Sequence, residues 1–476
     1  MAKNNNLTDF LTDVADSIRK KKGSTGLINP QDFSAEIESI QSVVEKSDVT
    51  FYDYEGTILH SYTKEEFLAL EDMPELPVRE GLICQGWNYT LEEAVATVTK
   101  NGVADIGALY ITDDGKTRLY ISVTDNLVKE VTLCFEQYVS YDVTVNWGDG
   151  TEEPSGPNAK NTMTHQYESL GDYVITLISQ NTYTLTLGST DNTQTVLGTY
   201  DNYNTPVRDM LRKVELGSNV KLATIAFRAC EQLREITMHN DIDLLSDNIF
   251  VECKHLRFIV IPRNDMTDWG NFSHFNLCNR IKGIILPGNA TEIPKFFFSN
   301  TGGLTTLSFP YGIKKIGQGA FQGVSCKDIV IPAGVEELGA GAFQSCLFLE
   351  SVSLPDSITV FGEYAFRNSN ALLSVNIPNK VTSLGYDFQN NHHLAYLFIP
   401  PSVISIGANA FYYLTGMRCY DFSQHTSVPV LGSSAFSGIQ SFCKIVVPDN
   451  LYDEWIAATN WSLFSSYIIK DSDFNA

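Results

Sequence analysis

The sequence predicts a multidomain, mainly β protein whose C-terminal half is a solenoid, and three observations carry this. Ten phenylalanines, Phe227, Phe250, Phe275, Phe298, Phe321, Phe343, Phe366, Phe388, Phe411 and Phe436, follow one another at intervals of 22 to 25 residues. A fixed period in that range marks units that cannot bury their own apolar edge and must stack on a neighbour. Alternating apolar triplets such as Ile329-Val330-Ile331 and Leu397-Phe398-Ile399 lead into the unit prolines, the period-two pattern of a short strand with one face inward. Finally, 476 residues exceed one compact core of ordinary size.

The first element expected is a helical hairpin over 1–46. Leu7, Phe10, Leu11, Val14, Ala15 and Ile18 follow helical spacing, Gly23 is placed as a stop, and Asn29-Pro30 opens a second helix bearing Phe33, Ile37 and Ile40. A pair this small lacks a sufficient core of its own, so it is expected either to pack on another chain, for attachment or oligomerisation, or to dock on the downstream domain. The basic run Arg19 to Lys22 reads as the charge-favoured last turn of its first helix.

Residues 47–125 alternate strand and helix signals and read as a small α+β module. Strands are expected at Val49 to Tyr54, Thr57 to Tyr62, Ile106 to Ile111 and Thr117 to Val123, and helices at Lys64 to Leu70 and Leu91 to Val98. Asp113-Asp114-Gly115 between the last two strands reads as a hairpin turn, not as a pair of catalytic or metal-binding carboxylates.

Residues 126–200 read as all-β. Trp147-Gly148-Asp149-Gly150-Thr151, His165-Gln166-Tyr167 and Gly171-Asp172-Tyr173-Val174 resemble the immunoglobulin-like β-sandwich of the polycystic-kidney-disease type. That resemblance implies a spacer, with Asp149 bonding its own turn; calcium there is the lesser alternative.

Residues 201–449 are the repeat. Each unit runs from proline through two aliphatics to glycine and then Ala-Phe, as in Pro332 to Phe343 and Pro355 to Phe366. Proline stops the strand because it has no N–H for the ladder, and the glycines stand where the chain turns or approaches a neighbouring coil. One strand per coil is expected, the rings forming core; about 4.8 Å per strand gives a sheet of about 45 Å. The pattern resembles the BspA-like class of leucine-rich repeats over about 209–449, which implies a leucine-rich-repeat solenoid and a binding scaffold. Asp387 in place of alanine, Lys327 in place of the leucine after Phe321 and the irregular coil between Asp265 and Phe275 depart from it. Residues 450–476, with Trp455, Trp461 and Phe464, read as a C-terminal cap over the last coil's apolar edge.

The formal charge of −23 argues against nucleic acid, whose partners need a positive surface, and no polyanion site is expected. No apolar run has the length of a secretory signal or a membrane span, so neither export nor membrane insertion is expected. Nine cysteines without Cys-x-x-Cys pairs exclude a disulfide framework or a zinc site as the simple reading. Cys230, Cys253, Cys278 and Cys346 each follow a ladder ring by three residues and read as small buried groups. No catalytic motif, cofactor motif or metal-ligand set stands out.

Strand alternation places Glu235, Phe258, Gly283, Thr306, Asp328, Ser351, Ser374, Tyr396 and Cys419 in one outward column, and Thr237, Val260, Ile285, Ser308, Val330, Ser353, Asn376, Phe398 and Asp421 in the next. Phe258, Tyr396 and Phe398, with Asp421 beside them, are therefore the expected binding residues, outward aromatics being the usual anchors for sugars and proteins. The alternative is that an adjacent domain or subunit covers them.

Leu7 to Gly23, Ile28 to Ile37, Val49 to Thr57, Gln85 to Ala94 and Tyr110 to Ile121 together resemble tail and receptor-binding proteins of gut bacteriophages, and Val447 to Ser462 resembles the terminal cap of phage and bacterial versions of the repeat. The resemblance implies a virion tail protein made in the host cytoplasm and joined to other tail proteins by its N-terminus. Its solenoid would meet a host cell-surface protein or glycan, and it would be a homo-oligomer, trimers being common among such fibres. A purely architectural tail or neck component and a bacterial surface adhesin are the alternatives.

Overall fold

The computed structural model describes residues 48–137, 143–155, 159–179, 184–191, 193–198, 207–240, 242–244, 248–263, 266–267, 274–304 and 307–474. They form two compact units, one of residues 48–325 and one from residue 326 onward. The helical hairpin expected over 1–46 lies outside the described residues.

The first unit opens with strands β1 (Asp48–Tyr52) and β2 (Ile58–Thr63), helix α1 (Lys64–Leu68), β3 (Leu82–Trp87), helix α2 (Leu91–Asn101) and β4 (Ala104–Thr112). The sheet order is β2-β1-β4-β3, with β1 and β4 parallel and α2 within the connection that makes this possible. Both helices begin on capping boxes, Thr63 with Glu66 and Thr90 with Glu93, and α2 ends at Gly102 with φ 80°. Phe51, Phe67, Trp87, Val98 and Ile106 fill the core, Phe51 meeting Trp87 edge-on at 4.8 Å.

Asp113–Gly115 form a turn, but not the expected hairpin. Both edges of β4 are taken, by β1 and β3, so the next strand β5 (Thr117–Val123) leaves for another sheet. Asp114 is held by its own turn, 3.2 Å from Lys116 Nζ and 2.7 Å from Arg118.

Strands β6 (Glu130–Gln137), β7 (Val143–Asn146), β8 (Glu152–Pro154), β9 (Lys160–Gln166), β10 (Gly171–Ser179) and β11 (Leu185–Leu187) follow. They divide with β5 between two sheets, and both sheets run on into the first coils. These contribute β12 (Leu211–Glu215), β13 (Val220–Leu222), β14 (Glu235–Ile236) and β15 (Asp243–Leu244). The orders are β14-β12-β5-β10-β7-β8 and β15-β13-β11-β6-β9. β12 runs antiparallel to β5 and β13 parallel to β11. The all-β segment is thus continuous with the repeat: it hydrogen-bonds the open edge of the first coil, which would otherwise present unpaired N–H and C=O groups.

Most of the described coils carry two short strands, not the one expected. The first precedes the proline, as in Asp328–Val330 and Tyr396–Phe398; the second ends just before the glycine, as in Glu337–Leu338 and Ser405–Ile406. The second strand exists because the glycine N–H reaches the preceding coil: Gly362 N–H donates to Leu338 at 2.8 Å and Gly432 N–H to Ile406 at 2.7 Å. A Cβ on Gly362 would lie 2.3 Å from the Ala340 nitrogen, so that approach is open to glycine alone.

The rings are core in both units. Phe227 stacks on Phe250 at 5.7 Å and Phe250 on Phe275 at 5.6 Å in the first; Phe343, Phe366, Phe388, Phe411 and Phe436 stack at 5.1 to 6.2 Å in the second. Two left-handed residues bracket a ring, as with Tyr364 (φ 64°) and Asn368 (φ 62°) around Phe366, or Asn409 (φ 57°) and Tyr413 (φ 56°) around Phe411. Each such residue costs about 1–2 kcal/mol, less where it is asparagine, so a pair costs about as much as the roughly 1.5–3 kcal/mol that burying one ring contributes.

The column three residues past the ring is more than small and apolar. Cys253 Sγ donates to Phe227 O at 3.1 Å, Ser369 Oγ to Phe343 O at 2.6 Å and Asn391 Nδ2 to Phe366 O at 2.9 Å. All nine cysteines are free thiols.

The second unit closes with α3 (Tyr452–Ala457), a 3-10 turn at Trp461–Phe464, a last strand at Ile468–Lys470 and α4 (Asp471–Phe474). Trp461 lies 5.6 Å from Phe436 and donates Nε1–H to Pro429 O at 2.8 Å, while Trp455 packs on Phe422 at 5.5 Å. The final strand adds one parallel rung to Lys444–Val447.

Candidate recognition face

In the first unit the outward face of the rungs is covered. Phe258, expected at the surface, is 8 % exposed, its ring 5.2 Å from that of Tyr52 on β1. Val260 and Ile285 are buried too, because β4 lies against Phe258–Val260 and Gly283–Ile285; a Cβ on Gly107 would fall 2.4 Å from Val260 Cγ1. Asn88 is the chief polar fastener. Its Nδ2 donates to Ile261 O at 3.1 Å and Leu286 O at 3.0 Å, while its Oδ1 accepts from Gly107 N–H at 2.9 Å. Arg263 adds a two-pronged bond to Glu93 at 2.5 and 3.0 Å. Phe258 is therefore a docking residue for the α+β module and leaves the set of binding residues.

In the second unit the face is largely open. Asp328, Ser351 and Ser374 stand in register along one column, and Val330 and Ser353 along the next, with Ile329, Val352 and Leu397 turned into the core. Val330 is 54 % exposed. Ser351 Oγ–H donates to Asp328. Asn376 extends its rung through its side chain, accepting from Leu354 N–H at 2.7 Å and donating to Leu354 O at 2.6 Å.

Tyr396, Phe398 and Asp421 come together on adjacent rungs, Phe398 directly across from Asp421. Tyr396 O–H donates to Asp421 Oδ2 at 2.5 Å, and Asp421 Oδ1 accepts from Ser423 N–H at 2.9 Å. Burial, with the Asp421 charge next, pushes the Tyr396 phenol well above its ordinary range, so it remains a hydrogen-bond donor. This cluster is a rigid polar and aromatic platform. Cys419, expected in the outward column, is instead buried, as is Val446, since α4 folds back on the Lys444–Val447 strand. Ser472 N–H to Asp449 Oδ1 at 3.0 Å ties α4 down.

Asp149 is committed to its turn. Oδ1 accepts from Thr151 N–H at 3.0 Å and Oδ2 lies 2.7 Å from His165 Nε2, whose ring stacks on the buried Trp147 at 4.8 Å. Burial opposes ionisation there, but the bonds from Thr151 and His165 outweigh it and hold the carboxyl below its usual range. Among the described residues no cluster of three or more His, Cys, Asp or Glu could hold a metal. The repeat thiols are not poised for chemistry: burial pushes Cys230 and Cys443 up to about 12.

One periodic feature escapes a count of phenylalanines. Arg212, Arg234, Arg257 and Lys282 recur at 22, 23 and 25 residues, each at the start of a rung, in a chain whose net charge alone hides them.

A family model described as the BspA type leucine rich repeat region matches in six copies, over residues 208–325, 291–418 and 386–458. No curated protein matches. Among solved structures, a leucine-rich repeat protein from Bacteroides ovatus is 17% identical with a TM-score of 0.38, the match covering 70% of this chain and 99% of that one. A leucine rich cell surface protein from Faecalibacterium prausnitzii is 19% identical with a TM-score of 0.29, covering 54% of this chain and 82% of that one. The pneumococcal vaccine antigen PcpA is 14% identical with a TM-score of 0.26, covering 56% and 80%.

Proposed function

We propose, for a chain that belongs to the family of BspA-type leucine-rich-repeat proteins, an adhesin-like role: recognition of a cell-surface protein or glycan by the open rungs of the second unit. The observation that carries it is the run of exposed or half-exposed outward residues from Asp328 to Phe398. Serine and asparagine are interleaved there with Val330 and Phe398, on rungs that end at the Tyr396–Asp421 bond. Such a surface is pre-organised by backbone ladders, so a partner orders little on binding. A repeat solenoid of this type is typically a non-enzymatic scaffold.

The test is binding of the labelled full chain to candidate host cells, comparing wild type with Ser353→Arg and Phe398→Ala. Both positions are half-exposed, so folding should survive. Saturable binding weakened by either variant supports the role; undiminished binding in both moves recognition off these rungs.

A second reading places the chain in a bacteriophage tail, as a receptor-binding or architectural subunit, oligomeric and joined to other tail proteins. The motif resemblances of residues 7–121 favour it, and the all-β segment of residues 126–200, with its Trp-Gly-Asp-Gly turn, would then serve as an immunoglobulin-like spacer. Fractionating a producing culture separates the two: recovery with purified phage particles supports the tail, and recovery with the cell envelope supports the adhesin.

A further inference from the structure

We propose that the margin of the first unit's rungs is a binding groove for an anionic glycan, a chain of carboxylated or sulfated sugars. Arg212, Arg234, Arg257 and Lys282 occupy one register of four successive coils. Their spacing is set by the backbone, since Arg234 N–H donates to Arg212 O at 2.8 Å, Arg257 N–H to Arg234 O at 3.3 Å and Lys282 N–H to Arg257 O at 2.8 Å. Arg234, Arg257 and Lys282 are exposed and none is in an ion pair with a described residue. With 33 cationic residues in 476, four in succession at one register is not what composition supplies.

The row borders two hollows. One hollow of about 880 Å³ includes Arg257, Arg280 and Lys282 with Tyr52, and another of about 490 Å³ includes Arg212 and Arg234 with Tyr120 and Tyr173. Aromatic faces beside cations suit a sugar ring and its acid group together: guanidinium pairs bidentately with carboxylate or sulfate, and tyrosine supplies a flat apolar contact. The carboxylates of the same hollows are Glu55, Asp105, Asp172 and Glu235. Asp172 is engaged by Ser122 and Asp105 by Tyr52; burial and then the charge of Glu55 raise the Glu235 carboxyl above its ordinary value, and Lys213, Arg257 and Arg234 act against this. Burial and the neighbouring Arg234 act against the charge of Arg212, Asp209 and Asp172 offsetting them in part, and an anion laid along the row relieves that repulsion. The chain's overall charge of −23 acts against a long polyanion but is screened within about 8 Å, so a short acidic glycan in the groove is the favoured occupant over nucleic acid.

The groove deepens the recognition role by naming a ligand class on a different surface, and the two stand or fall separately. The full chain is titrated calorimetrically with polygalacturonate and dextran sulfate oligosaccharides, neutral dextran and a single-stranded oligonucleotide. Expected is salt-sensitive binding of one or both acidic glycans and none of neutral dextran. The double variant Arg234→Gln with Arg257→Gln weakens it roughly 10- to 100-fold with unchanged thermal unfolding, whereas Lys380→Gln in the second unit leaves it unchanged. Whether the carboxylated or the sulfated probe binds tells the acid group. No binding of either glycan, equal binding by the double variant, or tighter binding of the oligonucleotide overturns the proposal; loss of cell binding with glycan binding intact removes only the adhesin reading.

Discussion

Asp387 stands where six other coils carry Ala226, Ala320, Ala342, Ala365, Ala410 and Ala435, and it is 1 % exposed. Burial is the main cause that raises its carboxyl from 3.8 to about 7; hydrogen bonds from the Gly385 and Ala365 backbone oppose it, and the charge of Glu363 adds to it. A displacement of that size corresponds to about 4 kcal/mol between the protonated and ionised forms. The unfolded chain releases this proton near pH 4, whereas the folded chain keeps it until about pH 7. Across that window the folded state binds more protons, so this group's contribution is fully present below pH 4, falls as pH rises and levels off above 7. Asp387→Ala removes the titration together with the 2.7 Å bond from Gly385 N–H, the latter costing about 1 kcal/mol at any pH. The variant should be less stable than wild type by about 1 kcal/mol at pH 4 and more stable by about 3 kcal/mol at pH 8, or roughly 6–12 °C in Tm for a unit of this size. Urea unfolding of both proteins from pH 4 to 8 reads the difference. Parallel curves, or a variant still weaker at pH 8, would refute the reasoning.

Two further outcomes follow from packing. Phe343→Ala deletes a fully buried ring stacked on Phe366 at 5.3 Å and should cost about 3–5 kcal/mol in denaturant unfolding; a loss under about 1 kcal/mol would mean the rings are not core. Gly107→Ala pushes a methyl into Val260 and should destabilise by about 1–3 kcal/mol while raising amide exchange across Phe258–Val260; unchanged exchange there would separate β4 from the rungs.

The repeat was legible in the sequence because its period forces one residue type to recur at one depth. Phe343, Phe366 and Phe411 are buried for the same reason that they are spaced, and Ile329 and Val352 alternate with exposed neighbours as a two-residue period requires. What was not legible is what lies over the outward face. Period-two alternation gives the side of the sheet on which Phe258 stands but not that Tyr52, some two hundred residues earlier, closes over it. The same limit explains Asp113–Gly115: turn chemistry marks where the chain reverses, while the strand each arm joins is decided by which edges are already filled. The second strand of the coils that carry one was missed because two-residue segments such as Lys315–Ile316 are too short to show a period. Of the expected binding residues, Tyr396, Phe398 and Asp421 do meet, and only the register of parallel rungs shows that Asp421 is spent on holding Tyr396.

The cover over the first unit also decides where recognition can happen there. A side chain in the middle of an outward rung, such as Val260, faces β4 and is lost to a partner. The position just before the rung lies at the margin of the covering module, so it keeps its solvent contact and repeats with every coil. Arg234, Arg257 and Lys282 hold that margin. A marginal row needs long side chains to reach past the module edge, and arginine and lysine have them, with apolar stems and charged ends that keep to water. Serine, which serves the open rungs of the second unit, would be too short at this margin. The different residue types at the two surfaces thus follow from how deep each lies, and they suit the two occupants proposed: a cell-surface protein or glycan over Ser353 and Phe398, an acidic glycan along the arginine row.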